Sequence, residues 1–240
     1  MSWGKFLSIC CIALWLAACS SNATYDIDAS GVPSLIANNF VALDKITQIS
    51  KFRSSAGHDY SDSLEQCRSM KHYLLPKSAY QQNGVIKVYA PFNGTIQTIW
   101  DENYKSSGSL TNTQIHIVPD ANPAFTFIFF HIDLLSSEIR EGKQVSAGEQ
   151  LGTGHVIHGT IAGDFDIALR VSTPSGDRLV SPFEAMTSGI FNEYVARGVS
   201  STANLIISKS QRDQSLLTCT GEKFTGGTSS SSSDNWFTLN

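Results

Sequence analysis

The sequence predicts a mainly β domain of barrel or sandwich type that carries a C-terminal helical segment, and three observations lead there. Short apolar runs alternate from Val85 onward, glycines punctuate residues 139–152 at near-regular spacing, and a helix start signal follows at Ser181. The runs are Val85-Ile86-Lys87-Val88-Tyr89, Thr95-Ile96-Gln97-Thr98-Ile99-Trp100, Gln114-Ile115-His116-Ile117-Val118 and Phe125 to Phe130. Period-two alternation over four to eight residues is the pattern of a half-buried strand. Pro91-Phe92-Asn93-Gly94 and Asp120-Ala121-Asn122-Pro123 supply the turns between them. From Ile139 to Gly152 the glycines allow the tight corners that a compact sandwich or barrel requires. Ser181-Pro182-Phe183-Glu184 then offers an N-cap serine, a first-turn proline and the glutamate of a capping box. Phe183, Met186, Ile190 and Tyr194 recur at helical spacing toward a stop at Gly198, with Ser188-Gly189 a point where the segment divides in two.

Composition narrows the function classes. The 240 residues carry a formal net charge of −4, with 41% hydrophobic and 16% charged residues. Lysines and arginines are scattered, so the electrostatic footprint that dominates nucleic-acid affinity is missing. The one long apolar run is at the N-terminus and is shorter than the roughly 20 residues needed to span a bilayer.

That run is read as a targeting signal. Lys5 precedes an apolar stretch from Phe6 to Leu16, followed by Leu16-Ala17-Ala18-Cys19, which resembles the lipidation box of bacterial lipoproteins. The resemblance implies removal of residues 1–18, acylation of Cys19 and anchoring to a membrane through lipid. Ser20 and Ser21 point to the outer membrane, facing the periplasm. Residues 19–32 read as a tether, 33–224 as the domain, and 225–240 as a tail rich in Ser and Gly with a last apolar anchor at Trp236-Phe237. Cys67 and Cys219 are left as an even pair in an oxidising compartment, which predicts a disulfide; two buried free thiols are the other reading.

His58 to Asp62, Val88 to Ile96, and Phe129-Phe130-His131 with the run from Glu141 to Gly152 form three blocks that together resemble the lysostaphin-type zinc metallopeptidases, endopeptidases that cut peptidoglycan cross-bridges. His58-Asp59-Tyr60-Ser61-Asp62 matches the two ligand positions of their His-x-Gly-x-Asp element, with Tyr60 in place of glycine. Val88 to Ile96 looks like the strand and turn that follow. Phe129-Phe130-His131 and the run from Glu141 to Gly152 look like the family's Tyr-x-His and glycine-patterned signature. The likeness covers about residues 56 to 183 and implies a barrel-sandwich hybrid. Biotinyl and lipoyl carriers share that pattern, but no modifiable lysine sits in a hairpin between sheet halves, and Ser69-Met70-Lys71-His72 precedes the strands read here.

The family's last block, His-x-His on a strand, supplies a general base and the third zinc ligand. Here the strand reads Asp164-Phe165-Asp166-Ile167-Ala168-Leu169-Arg170-Val171. Period two buries Phe165, Ile167, Leu169 and Val171, and puts Asp164, Asp166, Ala168 and Arg170 on an open face. In the preferred register Asp164 and Asp166 replace the two histidines; a shift by two would place Asp166 and Ala168 there. The resemblance thus implies His58, Asp62 and Asp166 as metal ligands, with Asp164 and His131 as catalytic groups. Two carboxylates lean away from zinc toward a harder divalent cation. An ordinary aspartate, with a pKa of roughly 3.9, is a poor base at neutral pH unless its surroundings raise it. His155 and His158, before the strand, are possible substitutes, and either Tyr60 or Lys71 could fill the cleft.

The expected function is a non-catalytic envelope lipoprotein whose degenerate peptidase-like cleft binds peptidoglycan or regulates a cell-wall hydrolase. The alternatives are a working metal-dependent endopeptidase with a His/Asp/Asp site, and a purely structural scaffold whose helix and disulfide-tied tail meet a partner.

Overall fold

A computed structural model of the chain describes residues 23–101, 109–158, 161–227 and 233–240. The lipidation box and Cys19 lie outside the described residues. The strands are β1 (Ile46–Ser50), β2 (His72–Pro76), β3 (Lys87–Tyr89), β4 (Gly94–Trp100), β5 (Thr113–Pro119), β6 (Phe125–Leu134), β7 (Gln144–Val145) and β8 (Gln150–Gly154). They continue with β9 (Ile157–His158), β10 (Ile161–Ala162), β11 (Phe165–Thr173), β12 (Gly176–Val180), β13 (Thr218–Thr220), β14 (Lys223–Gly226) and β15 (Trp236–Thr238). Short helices α1 (Ile27–Ser30), α2 (Ser188–Val195) and α3 (Lys209–Gln214) lie outside the sheet.

The architecture is mainly β. The main path of the large sheet runs β15-β1-β2-β11-β6-β5-β4-β7, with β12 added beside β11 and β3-β8 beside β6. All these pairings are antiparallel. The strands predicted from residue 85 onward are present, but the sheet begins earlier than the sequence suggested. β1 and β2 precede them, and β2 is the direct neighbour of β11. Their sequences, Ile-Thr-Gln-Ile-Ser and His-Tyr-Leu-Leu-Pro, lack clean period-two alternation, which is why the pattern passes them over.

Phe165, Ile167, Leu169 and Val171 of β11 enter the main core with Phe125, Phe127 and Phe129 of β6. The opposite face of the same strands is not open, contrary to the sequence expectation. Residues 51–71 and Ile206 lie across it, and Phe52, Met70, Ile128, Phe130, Ala168 and Leu179 form a second, smaller core there. A strand buried on both faces carries apolar residues at both parities, as Phe125 to Phe130 does.

The glycine block has a steric cause. A Cβ at Gly152 would lie 2.0 Å from the Asp133 carbonyl oxygen, so β8 can approach β6 only without one. Gly142 turns the chain at φ 78°, a left-handed conformation that glycine adopts without strain.

The C-terminal segment starts as predicted. Ser181 and Glu184 form the capping box of a one-turn 3-10 helix, Pro182–Ala185. The chain then breaks at Met186 and restarts as α2, so the helical run does divide, at Thr187. At the N-terminal side, residues read as tether are packed: Asp26 caps α1, the Tyr25 ring lies 5.3 Å from Phe125, and Ile27 meets the main core. Trp236-Phe237 anchors the tail by pairing with β1.

Candidate functional site

Residues 51–71 form no long strand or helix, so charge and covalent chemistry hold them in place. The disulfide joins Cys67 to Cys219, 152 residues apart, with Cα atoms 5.7 Å from each other. Beside it, Glu65 is buried and takes both Nε and Nη2 of Arg53 at 2.7 Å, while Arg68 reaches Glu65 at 2.8 Å and Asp213 at 3.1 Å. Burial pushes the Glu65 carboxyl up, but the two guanidiniums outweigh it and hold it below the usual carboxylate range.

Asp62 fastens the same segment to the sheet. One carboxylate oxygen accepts the N–H groups of Leu64 and Glu65 at 2.9 Å, and the other accepts the Leu179 N–H at 3.0 Å. Asp62 therefore closes a turn and satisfies the outer edge of β12, and both its oxygens are spent on backbone.

His58 and Asp166 come together around a different group. The Lys71 side chain is 2% exposed and its Nζ lies 2.7 Å from Asp166 Oδ2, itself on a side chain 1% exposed. Antiparallel pairing of Tyr73 with Asp166 puts Lys71 diagonally across from that carboxylate. The ammonium also sits 3.6 Å from the centroid of the Phe130 ring and 4.4 Å from that of Tyr60, and is 3.5 Å from His58 Nε2. The His58 Nδ1–H donates to the Asp59 carbonyl, which leaves Nε2 as the acceptor facing Lys71. The Tyr60 and Phe130 rings meet edge to face at 5.4 Å and cover the cation. Among the described residues neither Asp166 oxygen has an aligned hydrogen-bond donor, so charge rather than directed bonding holds the carboxylate.

His131 is on the rim. It adopts a left-handed φ of 57° within β6, its Nδ1–H donates to Asn112 Oδ1 at 2.8 Å, and its Nε2 is 3.8 Å from Asp166 Oδ1. A non-glycine residue in that conformation bends the strand and turns its side chain out of the regular alternation. Burial pushes the Asp164 carboxyl up to about 7, the Asp166 charge adds to this, and Lys71 opposes it. A small cavity of about 50 Å³ opens between His58, Lys71, Asn112, Phe130 and His131. His155 is engaged elsewhere, with Nδ1 2.8 Å from Asp133 Oδ1, and the side chain of His158 lies outside the described residues.

Of the residues proposed from sequence, His58, Asp166 and His131 thus meet at one place, and Asp164 feels the charges of Asp166 and Lys71 there. Asp62 is committed to the backbone of its own turn and of β12. Among the described residues no three His, Cys, Asp or Glu side chains are grouped to hold a metal ion. The groups present do not fit a divalent cation, because a cation is already there. A second charge of +2 roughly 3 Å from a lysine ammonium costs on the order of 10 kcal/mol even at an effective dielectric of 20. The sequence offered Tyr60 and Lys71 as alternative occupants of the cleft; that Lys71 pairs with Asp166 beneath the Tyr60 ring is seen only in the structure.

No family model matches the chain, and no curated protein does. In shape the chain is similar to parts of three solved structures. A chain named as a glycyl-glycine endopeptidase lytM from Ruminococcus gnavus shares 16% identity over 48% of this chain and 44% of that chain, with a TM-score of 0.36. Lysostaphin in solution shares 16% over 56% and 54%, with a TM-score of 0.37. Csd3 of Helicobacter pylori shares 13% over 63% and 36%, with a TM-score of 0.38. The chain thus spans about a third to a half of the length of the chains it matches, and no residue role is taken from them.

Proposed function

We propose that this chain is a non-catalytic envelope lipoprotein, anchored through Cys19 to the outer membrane facing the periplasm, whose peptidase-like domain binds peptidoglycan or regulates a cell-wall hydrolase. The observation that supports a non-catalytic role is the Lys71 ammonium, buried against Asp166 and within 3.5 Å of His58 Nε2, among the residues to which the sequence resemblance assigns metal ligation. A metallopeptidase needs an open coordination position for its nucleophilic water. Here a tethered cation holds that place beneath two aromatic rings. The resemblance of residues 56 to 183 to peptidoglycan endopeptidases supports the cell-wall assignment.

Elemental analysis of the purified protein after incubation with Zn²⁺ or Mn²⁺, together with co-sedimentation on purified sacculi, tests this reading. Retention on sacculi without stoichiometric metal and without released muropeptides is expected. Stoichiometric metal lost in Asp166→Ala, with cleavage of sacculi, would overturn it in favour of the endopeptidase. Absence from the sacculus pellet would leave hydrolase regulation, to be tested by the effect of the protein on sacculus digestion by envelope hydrolases.

A further inference from the structure

A second cavity adjoins Lys71 across Tyr60. It has a volume of about 470 Å³, within the range of small-ligand sites, and lies at the edge of β12 where the 60–63 turn packs. Tyr60 forms one wall and covers Lys71 from the other side, so the ring that seals the first cleft also shapes the second.

Two guanidiniums, Arg170 of β11 and Arg178 of β12, line this cavity. Their ionic contacts are long. Arg170 Nε is 3.7 Å from Asp177 Oδ2, and Arg178 lies 3.5 Å from Asp28 Oδ2 and 3.7 Å from Asp62 Oδ2. Charge-assisted N–H···O bonds are shorter, roughly 2.7–2.9 Å. The acids are meanwhile engaged elsewhere: Asp62 takes three backbone N–H groups, and Asp177 accepts the Ser172 hydroxyl at 2.7 Å. The Nε of Arg178 is buried with no hydrogen-bond partner, although the Arg178 side chain is only 17% exposed. The carboxylates therefore position the arginines without using up their donors. The carboxylates of Asp62 and Asp177 line the cavity too, Leu179 and the Tyr60 ring give it apolar surface beside the two guanidiniums, and Ser61 and Ser63 bring hydroxyls.

We propose that this cavity binds the C-terminal carboxylate of a peptidoglycan stem peptide, with Arg178 and Arg170 forking onto the carboxylate and the terminal side chain resting on Tyr60 and Leu179. The proposal rests on the peptidoglycan-binding reading above and names the part of the ligand recognised. A planar carboxylate matches the fork of a guanidinium, and two such donors in one pocket discriminate it from a neutral amide.

The experiment is calorimetric titration of the purified protein with N-acetyl-D-alanyl-D-alanine, with its C-terminal amide, and with the L,L dipeptide. The expected result is saturable binding of the D,D acid, at least tenfold weaker binding of the amide and of the L,L acid, and at least tenfold loss of affinity in Arg178→Gln. Arg178→Lys should not restore it, since an ammonium cannot fork. Because Arg178 is partly buried, Arg170→Gln, on a more exposed side chain, serves as the second variant, and circular dichroism and the thermal midpoint verify that each is folded. Equal binding of acid and amide, unchanged affinity in both folded variants, or no binding at all would overturn the proposal. Equal binding of the L,L acid would refute the stem-peptide assignment. Sedimentation with sacculi in the absence of dipeptide binding would reject this pocket and leave the broader function standing, whereas dipeptide binding without sedimentation would reject intact peptidoglycan as the ligand and leave hydrolase regulation.

Discussion

Removing the charge of Lys71 tests the central ion pair directly. In Lys71→Met the chain keeps similar side-chain volume but leaves Asp166, on a side chain 1% exposed, with no cation at 2.7 Å. Breaking a buried pair by deleting one partner costs about 3–5 kcal/mol, because the remaining charge is desolvated and uncompensated. Loss of the ammonium from the Phe130 and Tyr60 faces adds up to about 2 kcal/mol. Together these are a large part of the roughly 5–15 kcal/mol by which a domain is stable. Asp166→Leu alone should cost a similar amount, by stranding the ammonium. The double variant Lys71→Met/Asp166→Leu should recover most of the loss, since hydrophobic replacement of both partners is neutral or stabilising by about 1–4 kcal/mol. Urea unfolding followed by tryptophan fluorescence at pH 7 gives all four corners of the cycle, and the coupling between the two sites should exceed about 2 kcal/mol. A single-variant loss below about 1 kcal/mol, or additive effects in the cycle, would show that the ammonium is not held by Asp166 and would remove the argument against a metal ion.

Three further outcomes are expected. Asp164, raised to about 7 chiefly by burial, holds a proton in the native state that the unfolded chain releases, so its contribution falls as pH rises from about 4 to 7. Asp164→Asn should abolish that loss, worth at most about 4 kcal/mol, so that its urea midpoint relative to wild type is higher at pH 8 than at pH 5; an unchanged difference refutes the burial of the carboxyl. His72 has the opposite sign. Fully buried, with Nδ1–H donated to the Ser50 carbonyl and Nε2 accepting from the Ser181 hydroxyl, it is lowered to about 4, and its stabilising effect is lost as pH falls from 6.5 toward 4. His72→Gln should flatten that acid limb, and a limb of unchanged slope would assign it to other groups. Cys67→Ser/Cys219→Ser should lose up to about 5 kcal/mol in denaturant titration, as expected for releasing a closed loop of this length, with the 51–71 segment the first to gain amide exchange.

The sequence carried the parts of this fold that local periodicity encodes. β4, β5, β6 and β11 each alternate or run apolar over enough residues to be recognised, and Ser181-Pro182-Phe183-Glu184 forms the capping box it spells. The disulfide was legible because two cysteines remained after the lipidation box was set aside. What was not legible depends on contacts between distant segments. Nothing in Asp164 to Val171 says that one face will be covered, because the cover, Phe52 and Met70, lies about a hundred residues earlier in irregular chain. Asp62 has the spacing of a ligand and the environment of a turn, and only the Leu179 N–H at 3.0 Å decides between them. The sequence left Tyr60 and Lys71 as alternative occupants of the cleft; the structure uses both, one as the plug and the other as its lid.

These two departures depend on one another physically. A histidine at position 166 could be neutral, whereas a buried aspartate must have a cation or take up a proton, so the carboxylate there creates a demand that the site itself has to meet. A bound ion would meet it only in proportion to its concentration, since ligand stabilisation rises with the ratio of free ligand to dissociation constant. A lysine placed diagonally across β2 from Asp166 meets it at every concentration, at the entropic cost of ordering one long side chain. That ammonium, once buried, needs solvation from somewhere other than water. The faces of Phe130 and Tyr60 provide it, and a glycine at position 60 would leave the second face bare. Tyr60→Gly should therefore expose Lys71 and weaken the ion pair without creating a metal site, because Asp62 remains bound to the backbone of β12.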